Sequence, residues 1–249
     1  MTVSIGMVHY QILDTIKESE NPIGAIRLKK VLDKKQLNLS EAKIGRILIN
    51  LEEEGLIKKD GSNGRILTEL GYGKIIEYEY FYKSKKYADK IMNLINCTNK
   101  DDMIFHLDAR EAIELKAIEL VINTVPDNDL EELRAILVEQ MQVLYNYKEK
   151  KPTKSQGSLD YKFHSTIIKL SGNPYLEAIY QLLRCSEEMQ LMYEFIAGQG
   201  CIEEHSKIFE GISERNLEEA CSALKKHIGD VKNECITYWE NKRILEKYL

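Results

Sequence analysis

Asp160 and His164 stand four residues apart in a stretch that reads as helix, so both side chains project from one helical face. Two further imidazoles fall in comparable settings. His205 lies in the first turns of the short helical stretch Glu203-Glu204-His205-Ser206-Lys207-Ile208-Phe209, and His227 lies among Ala220, Leu224, Ile228 and Val231 of the last one. One carboxylate and three imidazoles make a donor set for a borderline divalent transition metal: zinc first, with nickel, manganese or cobalt as alternatives. Three helices could aim these side chains into one bundle core and leave a coordination position open for water or a ligand oxygen. Spacing alone carries little weight, because an Asp-x-x-x-His pair is common and core histidines are usually just hydrogen-bonded. Cys201, four residues before His205, competes as a ligand, although a buried thiol is the commoner outcome for such a residue.

A second chemistry lies near the N-terminus. Ser40-Glu41-Ala42-Lys43-Ile44-Gly45-Arg46 opens a helix with Ser40 as N-cap, and Ile44, Ile47, Leu48 and Leu51 form its buried stripe. Lys43 and Arg46 share the opposite face. Arg46 could make a bidentate contact to guanine, and Lys43 could meet a base or a phosphate. Ser40 and the free helix N-terminus suit a phosphate. Two β-like runs, 56–59 and 65–68, flank Asp60-Gly61-Ser62-Asn63-Gly64, whose residues tolerate the positive φ of a hairpin turn. Lys58, Lys59 and Arg65 put charge on that hairpin.

The elements that must position these residues follow from periodicity. Val8, Ile12, Leu13 and Ile16 mark a first helix, and Ile26, Val31 and Leu32 a second. Three helices followed by a hairpin is the order of a winged helix-turn-helix, expected over residues 1–71. A linker helix over 72–100, rich in Tyr and Lys, comes next. The rest, 101–249, reads as an all-α antiparallel helical bundle with helices near 108–123, 128–148, 157–171, 174–197, 201–212 and 216–246. The expected fold class is mainly α.

Composition narrows the function classes. The 249 residues are 43% hydrophobic, enough for cores, yet no apolar run reaches the roughly 20 residues of a membrane span. The first residues lack the pattern of a secretory leader, and the five cysteines are scattered, never in a Cys-x-x-Cys pair, so a cytoplasmic protein with free thiols is expected. The net charge is −5, but residues 1–75 carry 12 basic against 10 acidic side chains. Any DNA contact must therefore rest on local placement of Lys and Arg, not on a global field.

Several segments resemble a known pattern. Ala109-Arg110-Glu111-Ala112-Ile113-Glu114, Asp160-Tyr161-Lys162-Phe163-His164 with Ser171-Gly172-Asn173-Pro174, then His205-Ser206-Lys207-Ile208-Phe209-Glu210-Gly211-Ile212, and Ala220 through Leu224 to His227-Ile228 follow in order. Together they look like the FCD ligand-binding domain of the FadR-type subgroup of GntR transcriptional regulators, over about 103–240. The resemblance implies a metal held by Asp160, His164, His205 and His227, a homodimer, and a small effector, often an organic acid. It also implies Arg110 as the group that neutralises a carboxylate effector. Asn173 is expected either at the effector or simply as the cap of the next helix, and Glu114 as a support for Arg110 or for helix packing. The N-terminal segment departs from the family pattern: only Arg46 corresponds to an arginine of the usual recognition stretch, and the wing looks more like another winged-helix group, one fused to nitrogen-type regulators.

The expected function is a DNA-binding transcriptional regulator whose affinity for a double-stranded operator responds to a carboxylate effector. A metal-dependent enzyme acting on small organic acids is the alternative from catalysis, although no poised general base stands near the histidines. A winged-helix protein-interaction module is the alternative from binding.

Overall fold

The computed structural model describes the backbone of residues 5–148, 156–196 and 201–246. Backbone contacts divide the chain into two compact units, Met1–Lys90 and Ile91–Leu249.

In the first unit α1 (Ile5–Glu18), α2 (Ala25–Lys34) and α3 (Glu41–Glu53) precede β1 (Ile57–Lys59) and β2 (Arg65–Leu67). Val8, Ile12, Leu13 and Ile16 of α1 pack with Leu28 and Leu32 of α2 and with Ile44, Ile47, Leu48 and Leu51 of α3. Within α2 the expected stripe is displaced: Leu28 faces the core, whereas Ile26 is 64% exposed. Gln36, at φ 62°, turns the chain out of α2, and Gly55, at φ 73°, turns it out of α3. The hairpin is antiparallel with Ile57 opposite Leu67 and Lys59 opposite Arg65. Ile23 bridges Arg65 as a third edge. Gly64 permits that approach, since a Cβ there would lie 2.5 Å from the Ile23 carbonyl carbon. The long helix α4 (Glu69–Ile95) follows.

The second unit is helical: α5 (Lys100–Thr124), a short 3-10 turn Asp127–Leu130, α6 (Glu131–Lys148), α7 (Gln156–Leu170), α8 (Pro174–Leu183), α9 (Glu187–Ile196), α10 (Cys201–Ser213) and α11 (Leu217–Glu246). α5 starts earlier than the sequence suggested, because Asn99 caps it by accepting from the Asp102 N–H at 2.9 Å. The stretch expected as one helix over 174–197 is two. Ser186 caps α9, with its hydroxyl 3.2 Å from the Met189 N–H, and Glu187 and Glu188 follow in the first turn. Leu107, Ile118 and Val121 of α5, Phe163 and Ile167 of α7, Ile208 and Ile212 of α10, and Leu224 and Ile228 of α11 fill the common core. Among the described residues no helix is long and apolar enough to cross a membrane.

Candidate metal centre and recognition helix

One helical turn separates Asp160 from His164 on α7, and α10 and α11 bring His205 and His227 to the same point. Nε2 of His164 lies 3.1 Å from Nε2 of His205 and 3.1 Å from Nε2 of His227. Asp160 Oδ1 stands 3.5, 3.3 and 3.6 Å from the nitrogens of His164, His205 and His227. All four donor atoms fall within 4.8 Å of one another. A divalent ion with bonds of about 2.0–2.2 Å holds neighbouring ligand atoms roughly 3–3.5 Å apart, so this donor set fits one. The three imidazoles are at most 1% exposed. Cys201 lies on α10, but its side chain is outside the described residues.

The outer nitrogen of each ring faces an oxygen. Glu114 Oε2 is 2.8 Å from His164 Nδ1, close but out of line for a hydrogen bond. Gln140 Oε1 is 3.0 Å from His205 Nδ1. Glu204 Oε2 is 3.5 Å from His227 Nδ1 and its other oxygen accepts from Lys226. An acceptor at Nδ1 favours the tautomer whose Nε2 lone pair faces inward. Three such lone pairs and a carboxylate repel one another unless a cation lies between them.

The electrostatics favour the ligating form at His205, His227 and Asp160 and the protonated form at His164, whose proton an ion must displace. Burial presses His205 down to about 3 and lowers His227. For His164 burial acts downward, but the Glu114 and Asp160 carboxylates outweigh it and raise the group. Burial would raise Asp160, yet His164 and the hydrogen bonds of the site hold it well below the usual carboxylate range.

Arg110, 1% exposed on α5, donates from Nε to Glu114 Oε1 at 2.6 Å, and its Nη2 lies 3.7 Å from Asp160 Oδ2. Glu114 thus joins Arg110 to His164, supporting Arg110 as one of the two expectations had it. Asn173 caps α8 by accepting from the Tyr175 and Leu176 N–H groups at 3.0 and 3.3 Å. Gln140 and Glu204 went unrecognised as oxygen partners. Nothing in the sequence marks Gln140, whereas Glu204 is adjacent to His205 in sequence and meets Lys226, at 2.6 Å, only in the fold.

In the other unit Ser40 caps α3, accepting from the Lys43 N–H at 3.3 Å. Lys43 and Arg46 are exposed on the face opposite the buried stripe, and Lys58 and Lys59 are exposed on β1. Arg65 is different: its Nε donates to Glu52 Oε1 of α3 at 2.6 Å, tying the hairpin to the helix.

Residues 106–230 match the FCD domain family, and residues 10–75 match the Ribonuclease R winged-helix domain. The chain is 25% identical over 198 residues, 78% of its length and 72% of the relative's, to the uncharacterized HTH-type transcriptional regulator YdhC of Bacillus subtilis (strain 168). Two solved structures are also similar. Streptococcus agalactiae GntR shares 20% identity over 92% of this chain and 100% of its own, with a TM-score of 0.42. E. coli McbR/YncC shares 17% identity over 97% and 100%, with a TM-score of 0.47. A winged helix-turn-helix followed by an all-helical FCD unit defines a transcriptional regulator rather than an enzyme. The chain belongs to the FCD family of GntR-type regulators.

Proposed function

We propose that this regulator binds an operator as a homodimer, and that a small carboxylate held at a divalent ion in the FCD unit sets its operator affinity. The convergence of four buried donor atoms, each imidazole backed by an oxygen, carries the metal half of this reading. Asp160, His164, His205 and His227 would hold the ion, with zinc the first choice for a nitrogen-rich, compact donor set. Bound there, the ion supplies a Lewis-acidic anchor for a carboxylate oxygen. Arg110 lies beside Asp160, where it neutralises and orients the effector. Asn173 caps α8 through its Oδ1, so its side-chain amide nitrogen is the group that would meet the effector.

On DNA, the N-terminal turn of α3 enters the major groove, where Arg46 and Lys43 reach bases or phosphates and Ser40 marks the phosphate at the helix start. Lys58 and Lys59 meet the backbone from the wing, while Arg65 braces the wing through Glu52. Two-fold symmetry of the dimer matches a palindromic operator with half-sites about one helical turn apart. The effector acts by favouring one arrangement of the protein over another, in the cytoplasm where the operator is.

Elemental analysis of protein purified without chelators tests the ion. Titration of a palindromic fragment from the gene's own promoter region, at two salt concentrations, tests the DNA reading. A complex with no sequence preference and no salt dependence would sink it.

A further inference from the structure

Among the described residues seven buried polar atoms around the donor cluster have no hydrogen-bond partner. Glu114 Oε2, His164 Nδ1 and His227 Nδ1 face one another or Glu204, and four atoms lie on three further side chains: Arg110 Nη1 and Nη2, Tyr180 Oη and Tyr193 Oη. The three side chains are 1%, 1% and 5% exposed. A buried polar group without a partner is costly, and native proteins keep few of them without a reason. The four on Arg110, Tyr180 and Tyr193 can all donate a hydrogen bond. A guanidinium only donates. Burial raises both phenols, so each keeps its proton.

These groups belong to one nook. The Arg110 guanidinium carbon lies 5.2 Å from the centre of the Tyr193 ring. The Arg184 guanidinium carbon lies 4.8 Å from the same ring and 4.5 Å from that of Tyr161. Tyr161 stacks on Tyr180 at 6.3 Å, with the planes only 4° apart. Arg110 Nη2 is also 3.7 Å from Asp160 Oδ2, so the nook adjoins the candidate metal ligands. The local charge is unbalanced in the same sense. Arg110 faces Asp160 and Glu114, Arg184 lies over the same Tyr193 ring as Arg110, and Glu204 is matched by Lys226. A divalent ion then adds two positive charges with no protein counterpart. One carboxylate leaves half of that uncompensated, and two carboxylates neutralise it.

We infer that the effector is a small dicarboxylate, with one carboxylate at the ion and the other received by Arg110, Tyr180 and Tyr193. This rests on the metal-bound carboxylate reading above and adds the second anionic group and the residues that select it. A carboxylate offers about four lone-pair sites, enough for the guanidinium fork and two phenols together. Arg184, stacked on two tyrosine rings, holds those rings in place and adds long-range attraction.

The test uses the full chain loaded with zinc. Calorimetric and thermal-shift titrations compare malonate, succinate and glutarate with acetate and inorganic phosphate, for the unaltered protein and for Tyr180→Phe, Tyr193→Phe and the double variant. The expected result is that at least one dicarboxylate binds more tightly than acetate. Each Phe substitution should weaken that dicarboxylate about tenfold or more while leaving acetate affinity within about twofold. The ligand-free variants should melt at the same temperature as the unaltered protein or higher, because each loses an unpaired buried hydroxyl. Variants that melt lower yet bind dicarboxylates unchanged would assign the hydroxyls to packing and overturn the inference. So would phosphate binding more tightly than every dicarboxylate. Acetate binding without dicarboxylate preference would overturn the inference and leave the underlying reading standing. Silence toward all carboxylates would remove both.

Discussion

Glu114 meets a permanent cation through one oxygen and a metal-facing imidazole through the other. Burial would raise its carboxyl, but Arg110 first and His164 second press it down to about 2. Its ordinary value is 4.5. The sign follows: the contribution is complete above pH 4.5 and fades as the pH falls toward 2. Glu114→Gln leaves the buried Arg110 with only the more distant Asp160 as counter-charge, a change that costs up to about 3–5 kcal/mol. It also loosens the ring of His164, so zinc affinity should fall about ten- to a hundredfold, read by competition with a chromophoric chelator. Unchanged affinity and unchanged melting would remove Glu114 from the site. His106 offers a separate pH effect. It is 6% exposed, its Nδ1 lies 3.8 Å from Cys97 Sγ, and burial, then Arg110 and Arg184, lower it from 6.5 to about 4. A depressed histidine resists protonation in the fold, so stability is intact above pH 6.5 and declines as the pH falls to about 4. That interval corresponds to at most about 3 kcal/mol. In His106→Gln the melting temperature should vary less over this window than in the unaltered protein, and an equally steep decline would place the acid sensitivity elsewhere.

At the scale of elements, the packing of α10 on α11 sets the distance between His205 and His227. Gly211 sits at that crossing, where an added Cβ would lie 2.6 Å from the Ala220 nitrogen. Backbone cannot yield there as a flexible side chain would. Gly211→Ala should therefore cost about 1–3 kcal/mol and weaken zinc binding with it, since the helices must part. Gly229→Ala on α11 meets nothing within 4 Å and should hold or raise stability, by up to about 1 kcal/mol. Thermal unfolding of the two variants, with and without zinc, compares them directly, and equal effects would mean that the crossing tolerates the methyl group. The elements also show what a sequence can carry. Asp160 and His164 were legible because helical spacing alone puts them on one face. His205 and His227 could be nominated by residue type and setting, but only the family resemblance gave them weight, since nothing local tells that α10 and α11 converge on α7. The break between α8 and α9 was missed even though Ser186-Glu187-Glu188 has the chemistry of a helix start, because no Gly or Pro punctuates it. Tyr180 and Tyr193 could not be found at all: on an apolar helix face a tyrosine reads as core, and only its missing partner reveals otherwise.

For the whole molecule, the two chemistries respond to different probes, and that separation makes the functional reading testable. The acidic chain, at net −5, repels DNA on average, so operator binding must come from a few residues of the first unit. In the proposed reading Lys43 and Arg46, both exposed, read bases, and the exposed Lys58 and Lys59 neutralise phosphates. Arg46→Ala should weaken operator binding about ten- to a hundredfold and relax the preference for one base pair, because a bidentate contact to guanine is specific. Lys58→Ala should weaken all sequences alike and lower the slope of log affinity against log salt by about one. Neither change touches the donor cluster, so zinc content should stay the same. Chelation does the reverse: removing the ion leaves three inward lone pairs and a carboxylate facing one another, and the FCD unit should melt lower until zinc is restored. Fluorescence anisotropy on labelled operator, with metal content measured on the same samples, distinguishes these outcomes. If Arg46→Ala and Lys58→Ala gave identical losses on specific and random DNA, α3 would be a phosphate-binding surface, and base recognition would have to be sought elsewhere in the first unit.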